Sequence, residues 1–475
     1  MISLATRPAP NNDGRRASLI GTATVSAIAY DYHYRFASEL HADRAGSHLR
    51  LATCGGAEEN PVFFQGRIIH PRRTADLLRG LMEIVHARFS ILPNMLARIL
   101  AMADPVVTSS EQRLRFEGFS GCCSTYARVD LLPEALEGKT VGRGTTNVDF
   151  NPPILAALAR IRDADRVELE VGRDEVQLAR GEQTVVEKKV ALPLRWLRGL
   201  VEVQSYQSRM ELKMEVGGLD ALRFLRSLPR ARTKHPGWIV RSGRGLRLSQ
   251  TPQQDGVRVA GIERLRVLES LAPLADRMRI FADRDGETAA FILVLNEARF
   301  HLVLSPDVWR GFSGEGQALT TLAGQAWQES LPRIRAALKW DAVVDAADVA
   351  RRSKLSPQAV AAALSVLGVR GLVGFDLDAG AYFHRELPFD LSLLDVHQPR
   401  LKGARKLLDQ DQVRIARRTQ EQVELFVAGS GVEHRVRLEA QGARCTCPWF
   451  SKHQGRRGPC KHILAAEMYL DRTSQ

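Results

Sequence analysis

Cysteine is scarce in this chain, six in 475 residues, which excludes the disulfide framework of a small secreted domain. Long apolar runs are missing as well. The most apolar stretch, 91–107, is interrupted by Pro93, Asn94, Arg98, Asp104 and Pro105, whereas a membrane span needs about 20 consecutive apolar residues. The first sixteen residues carry Pro8, Pro10 and Gly14 in place of the apolar segment of a signal peptide. Segment 1–16 is therefore expected to be a flexible tail, and the protein cytoplasmic with no membrane contact. A nucleotide-binding loop is lacking too: Gly138-Lys139-Thr140 has the ending of G-x-x-x-x-G-K-T, but the first glycine of that pattern falls on Pro133. Low-complexity tracts are few, and 44% hydrophobic with 25% charged residues is the balance of folded globular protein.

What the chain has in excess is positive charge. A net charge of +13 and a pI near 9.8 permit a polyanionic partner without requiring one. The densest run is 221–254, with Arg223, Arg226, Arg230, Arg232, Lys234, Arg241, Arg244 and Arg247 and no acidic residue. Arg230, Arg232 and Lys234, with His235 and Trp238 nearby, fit a nucleic-acid groove; the same pattern fits the solvated face of a hairpin over 239–248.

The length exceeds what one hydrophobic core serves, so several domains are expected. Region 17–335 mixes short strand patterns with amphipathic helices and lacks a regular strand-then-helix rhythm, which makes it a β-rich α+β region. Strands are expected over 167–178, turning at Gly172 to Asp174, and over 289–303, turning near Asn296. Helices are expected over 73–89, 152–161 and 262–271. The heptad from Leu78 to Ile84 recurs in similar form from Leu197 to Val203, which raises the reading of two related modules.

Residues 336–390 read as a winged-helix-like module. Asp345 caps one helix, and Ser356-Pro357 opens a second whose Val360, Ala363, Leu364 and Leu367 share a face until Gly368. A hairpin over 372–384 follows, around Asp378-Ala379-Gly380. The outward positions of the second helix, Gln358, Ala361, Ala362 and Ser365, offer no cation for a phosphate, so packing or protein contact suits it better than base reading.

The last 85 residues, 391–475, carry the specific signal. Val423, Leu425 and Val427 alternate with Glu424 and Phe426, and His434, Val436 and Leu438 alternate with Arg435, Arg437 and Glu439, which gives a hairpin with one buried face. The chain then enters Cys445-Thr446-Cys447, and in extended backbone thiols at i and i+2 point the same way. Cys460 and His462 follow after a twelve-residue spacer ending in Pro459, at the start of a helix with Ile463, Ala466 and Leu470 inward. Three thiolates and one imidazole make a closed tetrahedral set, the chemistry of one structural Zn2+. His453, inside the spacer, is an alternative fourth ligand.

This order, C-x-C, a spacer, then C-x-H, with a β-hairpin before and an apolar helix after, resembles the SWIM zinc finger. Its motif residues here are Cys445, Cys447, Cys460 and His462, and the run from Cys460 to Ala465 is typical of that family. The resemblance covers only the C-terminal end. It implies zinc binding, with DNA or protein interaction as the proposed role; fingers of this type also occur in helicase-like ATPases, from which the lack of a phosphate loop separates this chain.

Lys452, Arg456, Arg457 and Lys461 lie in the finger without an acidic neighbour, and Arg417 and Arg418 lie just upstream among Lys402, Arg405, Lys406 and Arg414. These are the candidate nucleic-acid contacts, with Trp449 and Phe450 available to stack on a base; a solvated basic loop with both aromatics packed inward is the other reading. Asp31, His33, His41, Asp43 and His48 match no ligand spacing, and Cys54, Cys122 and Cys123 read as small buried residues. The chain is thus expected to be a non-catalytic zinc protein that binds nucleic acid, DNA first, or a protein partner, with no small-molecule substrate. Two other readings stand beside it: an adaptor for a separately encoded ATPase, and an enzyme whose site lies before Trp340.

Overall fold

The computed structural model describes residues 30–32, 38–42, 46–51, 63–89, 104–111, 113–148, 150–171, 190–192, 194–283, 286, 288–312, 319, 330–387, 399–429, 431–439, 442–455 and 457–473. The tail 1–16, the turn expected at 172–174, His33, Asp43, Cys54 and Arg456 lie outside the described residues. In chain order the first elements are β1 (Tyr30–Tyr32), β2 (Glu39–Ala42), β3 (Ser47–Leu51), β4 (Phe64–Ile68) and α1 (Pro71–His86). There follow β5 (Val106–Ser110), β6 (Arg113–Phe119), β7 (Thr125–Leu131), β8 (Leu136–Thr140), β9 (Gly144–Asn147), α2 (Pro152–Leu158) and β10 (Val167–Val171). Next are β11 (Val190–Leu192), α3 (Leu194–Gln207), β12 (Met210–Gly217), α4 (Gly218–Ser227), β13 (Gly237–Ser242), β14 (Gly245–Ser249) and β15 (Val257–Val259). The region closes with β16 (Arg277–Asp283), β17 (Ala289–Val294) and β18 (Ala298–Leu304), giving the expected α+β class.

An eight-stranded antiparallel sheet, β12-β16-β17-β18-β7-β6-β5-β9, organises this region. Two meanders, β5-β6-β7 and β16-β17-β18, run inward from the sides and join where β7 pairs with β18. The apolar run of β17 is buried at every position, and α1 lays Leu77, Leu78, Leu81, Ile84 and Val85 into the same core, against β6 and β7. A five-stranded sheet, β2-β3-β10-β4-β8, flanks it. Gly138-Lys139-Thr140 lies in β8, paired to Phe64–Gly66 of β4, so it is ladder and not a phosphate loop. The recurring heptads both fall in helices, α1 and α3, that touch β6. The helix expected over 262–271 is a 3-10 helix, Ile262–Glu269, followed by a second short one. Among the described residues no helix is long and apolar enough to cross a membrane.

Three helices then share a small core: α5 (Leu331–Ala337), α6 (Ala346–Ser353) and α7 (Pro357–Val369). Asp345 accepts from the N–H of Ala347 and Asp348, and Ser356 from that of Ala359, so both predicted caps are made. Gly368 does not stop α7, which runs one residue further; the break comes at Gly371, whose φ of 74° suits glycine. The hairpin β19 (Val373–Asp376) and β20 (Ala381–His384) follows, in the register Val373↔His384 to Asp376↔Ala381.

This hairpin covers a charged face of the large sheet. Register sets Arg115, Asp130 and Arg299 in one row across β6, β7 and β18, and Glu117, Arg128 and His301 in the next. Arg115, Glu117, Arg128, Asp130 and His301 are all buried. Asp376 enters from β19 and Arg385 from the end of β20: Arg115 donates to Asp130 at 2.9 Å and to Asp376 at 3.1 Å, and Arg385 donates to Glu117 at 2.7 and 2.8 Å. The Phe383 ring lies 4.1 Å from the Arg115 guanidinium and 5.1 Å from that of Arg128. Burial alone would raise the Asp130 carboxyl, but Arg115 and Arg128 hold it well below the usual carboxylate range.

Candidate metal centre and its basic surround

The C-terminal elements are α8 (Pro399–Asp409), β21 (Val413–Arg418), β22 (Gln422–Ala428), β23 (Glu433–Glu439), β24 (Gly442–Cys445), α9 (Pro448–His453) and α10 (Lys461–Thr473). The hairpin expected from sequence is the middle of a four-stranded antiparallel sheet, β21-β22-β23-β24. Leu425, Val427 and Val436 face inward with Cys445 and pack on Leu401, Ile463 and Leu464 of α8 and α10. Val201 and Val369 join this cluster, which seats the finger against α3 and α7.

Each ligand is placed by a local rule. Cys445 ends β24 opposite Val436 and so inherits its inward direction. Cys447 caps α9, with Pro448 in the first turn and the Phe450 N–H on its sulfur at 3.4 Å. Gln454, Gly455 and Gly458 take positive φ and turn the chain back. Cys460 and His462 then lie at the start of α10, the Ile463 N–H donating to Cys460 Sγ at 3.5 Å.

The four donor atoms lie within 4.8 Å of one another, and all four residues are buried. His462 directs Nδ1 at the sulfurs, 3.9 Å from Cys445 Sγ and from Cys460 Sγ. Its Nε2 is buried without a partner, and the His434 ring lies 4.4 Å away. The three thiols share their shifts: hydrogen bonds from Cys445 and Cys460 lower the Cys447 pKa, and the hydrogen bond with Cys447 raises that of Cys445. Backbone N–H groups on the sulfurs and helix N-termini beneath two of them suit thiolate ligation. The residues fit zinc, held by Cys445, Cys447, Cys460 and Nδ1 of His462. His453 is not part of the group; its ring packs on Trp449 with centroids 4.8 Å apart.

The described candidate cations lie on different elements. Arg417 and Arg418 are exposed on β21, and Lys452 is exposed near the end of α9. Arg457 and Arg400 bracket the Trp449 indole at 6.0 and 4.6 Å, so this tryptophan is packed. Lys461 lies partly buried at the start of α10, beside Gly403. What sequence reading did not assemble is the row across the outward face of the sheet: Arg417, Glu424, Arg437 and Arg444 stand in one row across all four strands, with Arg414, Phe426 and Arg435 in the next. Glu424 sits between Arg435 and Arg437 at 3.2 and 3.3 Å. A groove of about 730 Å³ beside the centre is lined by Arg435, Arg437, Arg444, Thr446 and Phe450, with the Glu439 carboxylate among them. The alternation along β23 was the available signal.

Two further clusters lie outside the finger. Asp130, His301 and Asp376 approach one another as metal ligands would, but Arg115 and Arg128 already neutralise the carboxylates. A groove between α1 and α2 brings together Arg72, Asp76, Arg79, Glu83 and His86. Burial raises the Glu83 carboxyl and lowers His86.

A buried Cys3His set on a sheet-and-helix frame defines a zinc-finger module. Residues 434–471 match the family model of the SWIM zinc finger, so this segment is a SWIM finger. No curated protein matches the chain. Among solved structures, proliferating cellular nuclear antigen from Entamoeba histolytica aligns at 9% identity with a TM-score of 0.32, over 52% of this chain and 100% of that one. A PCNA2–PCNA3 complex from Sulfolobus tokodaii aligns at 8% identity and 0.32, over 51% and 99%. Likeness at that level carries no argument about this chain.

Proposed function

We propose that this protein is a non-catalytic, zinc-stabilised nucleic-acid-binding protein whose contact is the outward face of the finger sheet, with DNA as the first ligand. The observation that carries this reading is the cross-strand row of Arg417, Arg437 and Arg444 around the single carboxylate of Glu424. Arginines fixed on a rigid sheet hold several phosphates at once, and each contact releases condensed counterions. Phe450, partly exposed at the groove, supplies a flat apolar surface beside them. Zinc serves as a structural ion here, one per chain, since all four ligands come from the protein. The winged-helix-like module, 336–390, is used for packing: Asp376 of its hairpin and Arg385 just after it are engaged with the large sheet, and Gln358, Ala361 and Ala362 are uncharged exposed positions of α7.

The test is fluorescence anisotropy with labelled duplex DNA at two salt concentrations, together with zinc content. The intact protein should carry one zinc and bind with a salt-dependent affinity. Arg437→Ala with Arg444→Ala should make the slope of log K against log salt shallower by about 1.8, at about 0.9 per phosphate. Zinc at full content without duplex binding at low salt would end this reading and favour a protein partner.

A further inference from the structure

A second basic surface is built into β13, β14 and β15, which form a three-stranded sheet in the order β14-β13-β15. One face turns Ile239, Val257 and Val259 into the main core. The other carries Trp238 paired with Arg258 and Ser249, then Val240 paired with Arg247; Val240, beside Gly256, and Ser249 are buried on this face between the more exposed side chains. Trp238 and Arg258 are partly exposed, Arg247 is exposed, and Arg244 stands in the exposed turn at one end. At the other end Thr233 is pinned to Glu263, its N–H at 3.3 Å and its hydroxyl at 2.9 Å from one carboxylate oxygen. That anchor leaves Arg230, Arg232 and Lys234 exposed around it.

The local ion pairs are spent elsewhere. Arg223 pairs with Asp220 and Arg226 with Glu269. Among the described residues, Arg230, Arg232, Lys234, Arg244 and Arg247 form no ion pair. Arg247 in β14, Arg244 in its turn and Arg230, Arg232 and Lys234 in the segment that enters β13 are like charges close together in the chain, and a polyanion relieves their repulsion. A six-residue strand such as β13 spans roughly 20 Å, room for a short stretch of nucleic acid. The indole among the arginines decides the class of ligand, because a duplex keeps its base faces stacked inside while a single strand can lay one on Trp238.

We infer that this sheet and the segment entering it form a second nucleic-acid site, specific for single strands, with Arg230, Arg232, Lys234, Arg244 and Arg247 on phosphates and one base stacked on Trp238. It does not rest on the finger, and the two contacts separate by mutation.

The test uses the full chain with labelled dT20, U20 and a 20-base-pair duplex at two salt concentrations. Arg244→Gln with Arg247→Gln changes exposed side chains only, so melting should stay unchanged. Affinity for dT20 or U20 should fall about tenfold or more, and the salt slope should become shallower by about 1.4, at about 0.7 per phosphate of a single strand. Trp238→Ala should weaken single-strand binding about tenfold, within the roughly 1–3 kcal/mol of one base–aromatic stack, and Trp238→Phe should recover most of it. In Cys460→Ala the part that depends on Arg244 and Arg247 should persist. Unchanged single-strand affinity and slope in the double variant would overturn the inference, as would failure of the intact protein to bind either single strand at low salt. So would equal dependence on Arg244 and Arg247 for polyglutamate, which has the charge but no bases.

Discussion

Arg115 of β6 donates to Asp376 of β19 across 3.1 Å, with 1% and 3% of the two side chains exposed. The contact joins residues 261 positions apart in sequence and fastens the helical module to the large sheet. Arg128 approaches the same carboxylate at 3.3 Å and grips Asp130 at 2.8 Å, so two guanidiniums and two carboxylates neutralise one another out of water. Desolvating four charges is expensive, and such a group is stable only while it is complete.

Asp376→Ala should therefore leave Arg115 and Arg128 to share Asp130 alone. Removing one partner of a buried pair costs about 3–5 kcal/mol, and urea unfolding should show a loss of that order. Asp378→Ala is the control: that carboxylate meets Arg279 and Arg299 at 2.5 and 2.7 Å but is more exposed, and its loss should cost nearer 1 kcal/mol. Equal effects would show that the buried network does not fasten the module.

His301 gives the same region a pH dependence. Burial lowers its pKa and the Arg128 guanidinium lowers it further, against Asp130 and Asp376, which favour the proton. An unfolded chain takes up that proton near pH 6.5 while the native one does so only at lower pH. Stability from this group is thus complete above about pH 6.5 and declines as pH falls toward the native pKa. His301→Gln should flatten the slope of unfolding free energy between about pH 6.5 and 5 relative to the parent protein. The same slope in both proteins would exclude His301 as its source.

Gly374 meets Phe383 across the β19–β20 pair, and a Cβ there would stand 2.2 Å from the ring. The ring cannot retreat freely, because the Arg115 and Arg128 guanidiniums lie over it. Gly374→Ala should cost about 1–3 kcal/mol as an overpacked site. Gly80→Ala would meet the terminal methyls of Leu271 at 2.7 and 3.3 Å, at the end of a flexible side chain, so it should be milder. Melting both variants side by side checks the order; the reverse order would mean that the Phe383 ring is free to shift.

These contacts also explain what sequence reading could reach. The zinc set was legible because its four ligands lie within eighteen residues and the strand and helix periodicities dictate where each points. Both caps of 345–369 were legible for the same local reason. The buried charges were not: Arg115, Glu117, Arg128 and Asp130 alternate with Leu114, Phe116, Ala127 and Val129, the pattern of a strand with one wet face. Only the return of Asp376 and Arg385 from far along the chain makes that face interior. The arginines of β23 were recognised as outward, but their alignment with Arg417 and Arg444 depends on a register that includes a shift between Ile415 and Arg417.

Removal of zinc tests how far the finger depends on its ligands. The inward side chains Leu425, Val427, Val436, Ile463 and Leu464 share their core with the three thiols, so losing the metal leaves buried sulfurs in place of a cross-link between β24, α9 and α10. Structural zinc supplies on the order of 10–16 kcal/mol in small modules, more than so small a sheet is expected to replace. Chelation, or Cys460→Ala, should expose the amides of 413–445 and 461–473 to rapid hydrogen exchange while those of β6, β7, β17 and β18 keep their protection. Val201 and Val369 touch the finger from α3 and α7, and exchange there should rise only locally. If instead the large sheet lost protection together with the finger, the two would form one cooperative unit and zinc would be holding the whole protein together.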